Sequence, residues 1–151
     1  MSNVYQNSEG YSDPTASIAL SHVAAEEKKK RYRPLVYIVS RYAGDIQTNV
    51  NDAKRYCRFA VNQGAIPICS HLLYPQFLKD DDPEERRLGL FFGKVLMDKC
   101  DQVWIFSDGD YSSGMQAEYN RAVRRRYTIR YFTTDCRKTD NPKSGGVNES
   151  L

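Results

Sequence analysis

No stretch of this chain approaches the ~20 consecutive apolar residues that cross a bilayer, and its N-terminus carries no apolar core of the signal-peptide kind. Membrane and secreted classes are therefore not expected. Histidine is reduced to two residues and cysteine to four. Cys57, Cys69, Cys100 and Cys136 show no C-x-x-C spacing and have no metal-ligand partners close in sequence, so no metal site is expected. Cys57, Cys69 and Cys100 lie in apolar patterns and read as small core residues, which points to reduced thiols and a cytoplasmic setting. Glycine-rich phosphate loops are missing as well. Without a G-x-G-x-x-G or Walker loop, neither a dinucleotide fingerprint nor ordinary NTP hydrolysis is supported, and no cofactor is expected. A strong charge of one sign is also lacking. The net charge is +3, with basic residues concentrated at 28–33 and 121–126. Such clusters usually form solvated helix faces, and the eleven tyrosines are scattered, so nucleic acid is not an expected partner.

What is present is one domain's worth of alternating pattern in 151 residues. Residues 1–33 are polar apart from Ile18-Ala19-Leu20 and Val23-Ala24-Ala25, and read as a tail or docking arm. The α/β domain spans 34–134. Leu35-Val36-Tyr37-Ile38-Val39 is a continuous β-rich run, suited to a central parallel strand. It enters the loop Ser40-Arg41-Tyr42-Ala43-Gly44-Asp45. Asp45 then caps a helix with apolar residues at Ile46, Val50, Ala53, Cys57 and Ala60, ended by Gly64. Ala65-Ile66-Pro67-Ile68-Cys69-Ser70 is a short strand that Pro67 assigns to a sheet edge. His71 follows at its carboxyl end, where open α/β sheets bind ligands. Asp82, Pro83 and Glu85 supply the start of a second helix, whose buried face is read as Leu88, Phe92, Val95 and Leu96. Asp101 leads into the strand Gln102-Val103-Trp104-Ile105-Phe106, and Thr128 to Phe132 forms a last strand. Residues 135–151 read as a flexible C-terminal tail.

The order of strands and helices predicts a three-layer α/β sandwich with a mostly parallel, flavodoxin-like (Rossmann-like) sheet of four to five strands. Three loops then meet at one crevice: residues 40–45, 71–74 and 107–114. The third leads into Ser112-Ser113-Gly114-Met115-Gln116-Ala117-Glu118, read as a helix mouth with Ser113 as N-cap and Gln116 completing a capping box. Gly114 lets a ligand approach closely, and the free N–H groups suit an anion. Glu118 lies one turn inside, on the stripe of Met115 and Ala122 that faces the sheet. A carboxylate there is costly unless it is used or paired. The plain alternative is a rim residue bridged to an arginine.

Together these loops resemble the nucleoside 2-deoxyribosyltransferase-like superfamily, which includes the 2-deoxynucleoside 5-monophosphate N-hydrolases. The matching features are Ser40-Arg41-Tyr42-Ala43-Gly44, the Asp101 to Phe106 strand with its Ser/Asp-Gly turn, and Gly114, Glu118 and Ala122. The likeness spans roughly Leu35 to Phe132. It is nearest to a group of short, uncharacterised bacterial and phage proteins sharing the stretch Asp81-Asp82-Pro83-Glu84-Glu85-Arg86. The resemblance implies cleavage of an N-glycosidic bond, by hydrolysis or transfer, with Glu118 attacking the anomeric carbon of a deoxynucleoside or its monophosphate. It further implies substrate contacts from Ser40, Arg41, Tyr42, Gly44, Asp45, Asp108, Ser112, Ser113, Gly114 and Met115, and assembly as a dimer or larger homo-oligomer. One feature departs from it. Where family enzymes carry an aspartate that helps to protonate the leaving base, this chain has Gly93. Proton delivery then falls to another group such as His71, or the crevice binds a nucleotide or nucleotide-derived signal without turning it over.

Overall fold

A computed structural model of the chain describes residues 32–141. The arm expected over 1–33 lies outside the described residues up to position 31, as does the tail from 142 onward. Among the described residues, five strands form one sheet in the order β2-β1-β3-β4-β5. β1 (Leu35–Val39), β2 (Ile66–Ile68), β3 (Gln102–Phe106) and β4 (Thr128–Phe132) are parallel. β5 (Lys138–Thr139) pairs antiparallel with β4, so ordered chain continues beyond the domain end read at residue 134. β2 lies at the edge, where Pro67 needs no partner on its outer side. Asp101 Oδ2 accepts the Leu35 N–H at 2.8 Å, tying the start of β1 to the approach to β3.

The connecting helices are α1 (Ile46–Asn62), α2 (Pro83–Lys99) and α3 (Ser113–Arg124), with two 3₁₀ turns at Ser70–Leu72 and Tyr74–Gln76. Strand alternation divides the core into two layers. Val36, Ile38, Trp104, Phe106 and Phe132 pack under Ala53, Tyr56 and Ala60 of α1. Tyr37, Val39, Val103 and Ile105 pack against Met97 of α2 and Met115 and Ala122 of α3. Helices thus cover both faces of a mostly parallel sheet. Among the described residues no helix is long and apolar enough to cross a membrane.

The helix starts follow their capping chemistry. Asp45 accepts from Thr48 N and Oγ1 at 3.2 and 2.8 Å, and Asp82 accepts from Glu84 N at 2.9 Å. Gly64 adopts φ +85°, a left-handed turn that suits glycine after the end of α1. Three local expectations need correction. The cap of α3 is Ser112, not Ser113: its extended backbone lets Oγ accept from Met115 N at 3.2 Å. Gln116 reaches forward to Asn120 Oδ1 at 2.9 Å, so no capping box forms. On α1, Ile46 is exposed and Tyr56 is buried in its stead. The largest correction concerns α2. Leu88 and Val95 are exposed, Phe92 and Leu96 are half-buried with Leu96 packed against the core, and the residues the helix buries fully are Gly93 and Met97. A glycine row allows the close helix–sheet approach that bulky side chains would prevent.

Candidate active site

The carboxyl ends of β1 and β3 are where strand order reverses, the place where open α/β sheets bind ligands. α3 starts above this point and carries Glu118 one turn inside. Glu118 is half-buried, and burial is the main reason its carboxyl rises from an ordinary 4.5 to about 7. The Tyr37 hydroxyl opposes that rise by hydrogen bonding to it. No ion pair reaches Glu118 among the described residues. The nearby arginine is engaged elsewhere: Arg121 holds Asp98 of α2 through two bonds, of 3.2 and 2.6 Å, locking α3 to α2.

Tyr37 is 1% exposed. Its hydroxyl pKa stands well above the usual tyrosine value, through burial first and then the neighbouring Glu118 charge. It therefore stays protonated and is the donor toward Glu118. Its oxygen lies 3.0 Å from Ser70 Oγ, so the chain can run from the Ser70 hydroxyl to Tyr37 and on to Glu118. Gly93 forms the wall opposite. A Cβ there would sit 3.2 Å from the Tyr37 hydroxyl oxygen and 3.6 Å from Ser70 Oγ. The position where the resembled family carries an acid is thus the one that leaves room for this hydroxyl pair. Sequence reasoning missed Tyr37 and Ser70. The available signal was a single polar atom inside an otherwise apolar central strand, which needs a partner when buried.

The second loop delivers His71. Its Nε2 lies 3.2 Å from the Ser40 carbonyl oxygen. A carbonyl only accepts, so Nε2 carries the proton. Burial lowers the imidazole pKa, favouring the neutral ring. Tyr42 stacks on this ring at 4.9 Å between centroids. Ser40 is 2% exposed and its Oγ meets no hydrogen-bond partner among the described residues. A buried hydroxyl of this kind needs a partner, water included.

A cavity of about 340 Å³ opens beside this cluster, lined by Arg41, Asn49, Asp52, Tyr56, Asp110 and Met115 among others. Glu118 is not among its walls. Met115 is the link, standing at the cavity and one turn ahead of Glu118. Arg41 Nη2 approaches the Asp110 carbonyl at 3.4 Å, bridging the first and third loops. Ser113 and Gly114 are exposed at the helix mouth. Two expected contacts serve the scaffold. The Asp45 carboxylate caps α1, and Asp108 accepts from Thr134 N and Oγ1 at 2.9 and 2.6 Å. Gly44 allows the loop its φ of +98°. Among the described residues no three metal-ligating side chains gather.

The model of a family described as "Domain of unknown function (DUF7768)" matches residues 34–132. The chain belongs to this family. That DUF7768 match begins one residue before β1 and ends with β4, so it contains Tyr37, Ser70, Gly93 and Glu118 together. No curated protein matches the chain in sequence. Among solved structures it is similar to a 2-deoxyribosyltransferase from the psychrotolerant bacterium Bacillus psychrosaccharolyticus, described as a biocatalyst for nucleoside synthesis. The similarity has a TM-score of 0.56 at 10% identity, over 73% of this chain and 88% of that one. At that identity the likeness is one of fold.

Proposed function

We propose that this chain cleaves or transfers the N-glycosidic bond of a deoxynucleoside or deoxynucleoside monophosphate, with Glu118 as nucleophile. One observation carries the reading: a desolvated carboxyl without an ion pair, donated to by Tyr37, one turn inside the helix at the strand-order reversal. Shielding from water makes such a carboxylate a strong stabiliser of an oxocarbenium-like centre, and near neutral pH a useful fraction is ionised. In the reaction, a Glu118 oxygen bonds to the anomeric carbon as the carbon–nitrogen bond breaks. Its electron pair leaves with the base, which takes up a proton. Water or a second base then attacks the same carbon and frees the carboxylate.

Ser40, with its orphan hydroxyl, Arg41, Tyr42 and Gly44 frame one side of the substrate. Ser112, Ser113, Gly114 and Met115 frame the helix mouth, whose N–H groups suit a 5-phosphate or hydroxyl. His71 is placed for orientation through Tyr42 and Ser40 more than for acid catalysis, since its Nε2 proton is bonded to a carbonyl. The fold similarity to a deoxyribosyltransferase supports the nucleoside as substrate class. The chain is further proposed to work as a homo-oligomer. Leu88, Phe91 and Val95 form an exposed apolar stripe on α2, the kind of surface a second copy covers.

The second reading, binding without turnover, draws on Gly93 and on the neutral His71, which together leave no evident acid for the departing base. Incubation with each deoxynucleoside and monophosphate, followed by chromatography for free base, separates the two. Base release abolished in Glu118→Gln supports catalysis. Thermal stabilisation by one compound without release in the wild type supports a binding protein.

A further inference from the structure

The cavity of about 340 Å³ is bounded on one side by Arg41 and Met115, which belong to the proposed substrate crevice. Its other walls come from α1 and from the loops after β3 and β4, and Glu118 is not among them. Asn49, Asp52 and Tyr56 line it from α1, where steps of three and four residues bring them onto one face. Asp108 and Asp110 line it from the loop after β3.

Bonds already made within the chain decide what each wall group has left. Asn49 donates its amide hydrogens to the Tyr42 and Ala43 carbonyls at 2.9 and 3.0 Å, which leaves Oδ1, an acceptor. Asp52 bonds Arg55 at 3.3 Å through Oδ1, so its Oδ2 is left to accept. Asp110 is held through its backbone carbonyl, by Arg41 and Ser107, and its carboxylate meets no partner among the described residues. Tyr56 is 3% exposed, and among the described residues its hydroxyl has no hydrogen-bond partner. That hydroxyl is not sealed inside protein, so it opens on the cavity that this residue lines. Burial first, and then the Asp52 charge, push its pKa up to about 12, so it keeps its proton. The wall is therefore rich in acceptors, with three carboxylates against the one guanidinium of Arg41. A metal ion does not suit it, because no three metal-ligating side chains gather among the described residues. Nor does a flat aromatic ligand. Phe106 stacks on the Tyr56 ring at 4.3 Å between centroids, and the Arg55 guanidinium lies over it at 5.1 Å.

We propose that this half of the cavity binds an organic cation of the di- or polyamine class, whose N–H groups bond Asn49 Oδ1, the Asp52 and Asp110 carboxylates and the Tyr56 hydroxyl oxygen. An ammonium group carries three donors and no acceptor, the complement of such a wall. Asp52 and Asp110 stand on different elements, so a flexible ligand with a cation at each end serves both. The site does not depend on the glycosidase reading, since its inner walls are not the groups assigned to the nucleoside.

The test titrates the full chain with putrescine and with spermidine in a calorimeter, beside magnesium chloride at matched ionic strength. The expected result is saturable binding of an amine that magnesium does not displace. Tyr56→Phe keeps the ring packed on Phe106 and removes only the hydroxyl, and Asp110→Asn changes an exposed side chain. Each variant loses a hydrogen bond to a charged group and should bind about tenfold more weakly. Asp81→Asn, an exposed acid outside the cavity, makes the same charge change as Asp110→Asn and should leave the affinity as it is. Absence of saturable binding by either amine overturns the proposal. So does a Tyr56→Phe or Asp110→Asn affinity equal to wild type, an equal loss in Asp81→Asn, or displacement by magnesium, which marks diffuse attraction to surface charge. Base release that is lacking with and without the amine would count against the glycosidase reading and leave this site standing.

Discussion

At the scale of single residues, the candidate site holds a carboxyl group, Glu118, that burial deprives of part of the water that would stabilise its charge. The pKa of Glu118 is raised above its unfolded value, so folding favours the protonated acid. That contribution is fully present below pH 4.5 and is lost as pH rises through about 7. With each pKa unit worth 1.36 kcal/mol, the ionised group costs the fold about 3 kcal/mol at alkaline pH. Glu118→Gln should therefore be more stable than wild type toward urea at pH 9, by up to about 3 kcal/mol. The margin should vanish near pH 4. A margin that does not change with pH would show that Glu118 titrates like a surface acid. Tyr37→Phe acts on the same group from the other side. Without the donated hydroxyl, the Glu118 pKa climbs further, so the pH at which base release sets in should move to higher values. Ser70 loses its partner as well, and an orphaned buried polar group costs about 1–3 kcal/mol. A pH–rate profile of the variant beside a urea titration reads both effects, and an unchanged profile would remove Tyr37 from the relay.

At the scale of elements, the sequence was most legible where apolar residues carried the signal themselves. β1 and β3 are continuous apolar runs, and Pro67 marked the edge strand. Asp45 and Asp82 announced their helices through side chains that have few other uses there. On α2 the pattern places Phe92 and Leu96 toward the core but also draws in the bulky, exposed Leu88 and Val95, while Gly89 and Gly93 add nothing to a hydrophobic pattern. The cap of α3 was misplaced by one residue because Ser112 and Ser113 are chemically identical, and only backbone conformation separates them. The distinction is measurable. Ser112→Ala removes the acceptor for Met115 N and should cost about 1 kcal/mol, whereas Ser113→Ala should fall within a few tenths. The reverse ranking in thermal unfolding would restore the original cap. At the candidate site, the place of Glu118 on the sheet-facing stripe of its helix was legible from spacing. Its partners were not: Tyr37 counts as apolar in a buried strand, and Ser70 lies 33 residues away on another element.

At the scale of the whole molecule, one surface remains unexplained by the fold of a single copy. Leu88, Phe91 and Val95 recur along α2 at spacings of three and four, with exposures of 42, 58 and 39%. They cannot serve the core, because the same helix already presents Gly93 and Met97 to it. An exposed apolar stripe of this kind is a surface that a second copy can cover. The location matters for function. α2 also carries Gly93 and is bonded through Asp98 to α3, so a copy docked on its outer face would steady both helices that form the Glu118 wall. Replacing Leu88 and Phe91 together by aspartate changes only exposed positions and should leave the monomer folded. Light scattering after size exclusion should then show the assembly reduced to single chains, and substrate affinity should fall if the docked copy steadies the site. A wild-type chain that elutes as a monomer across the micromolar range would instead leave this stripe to a different partner.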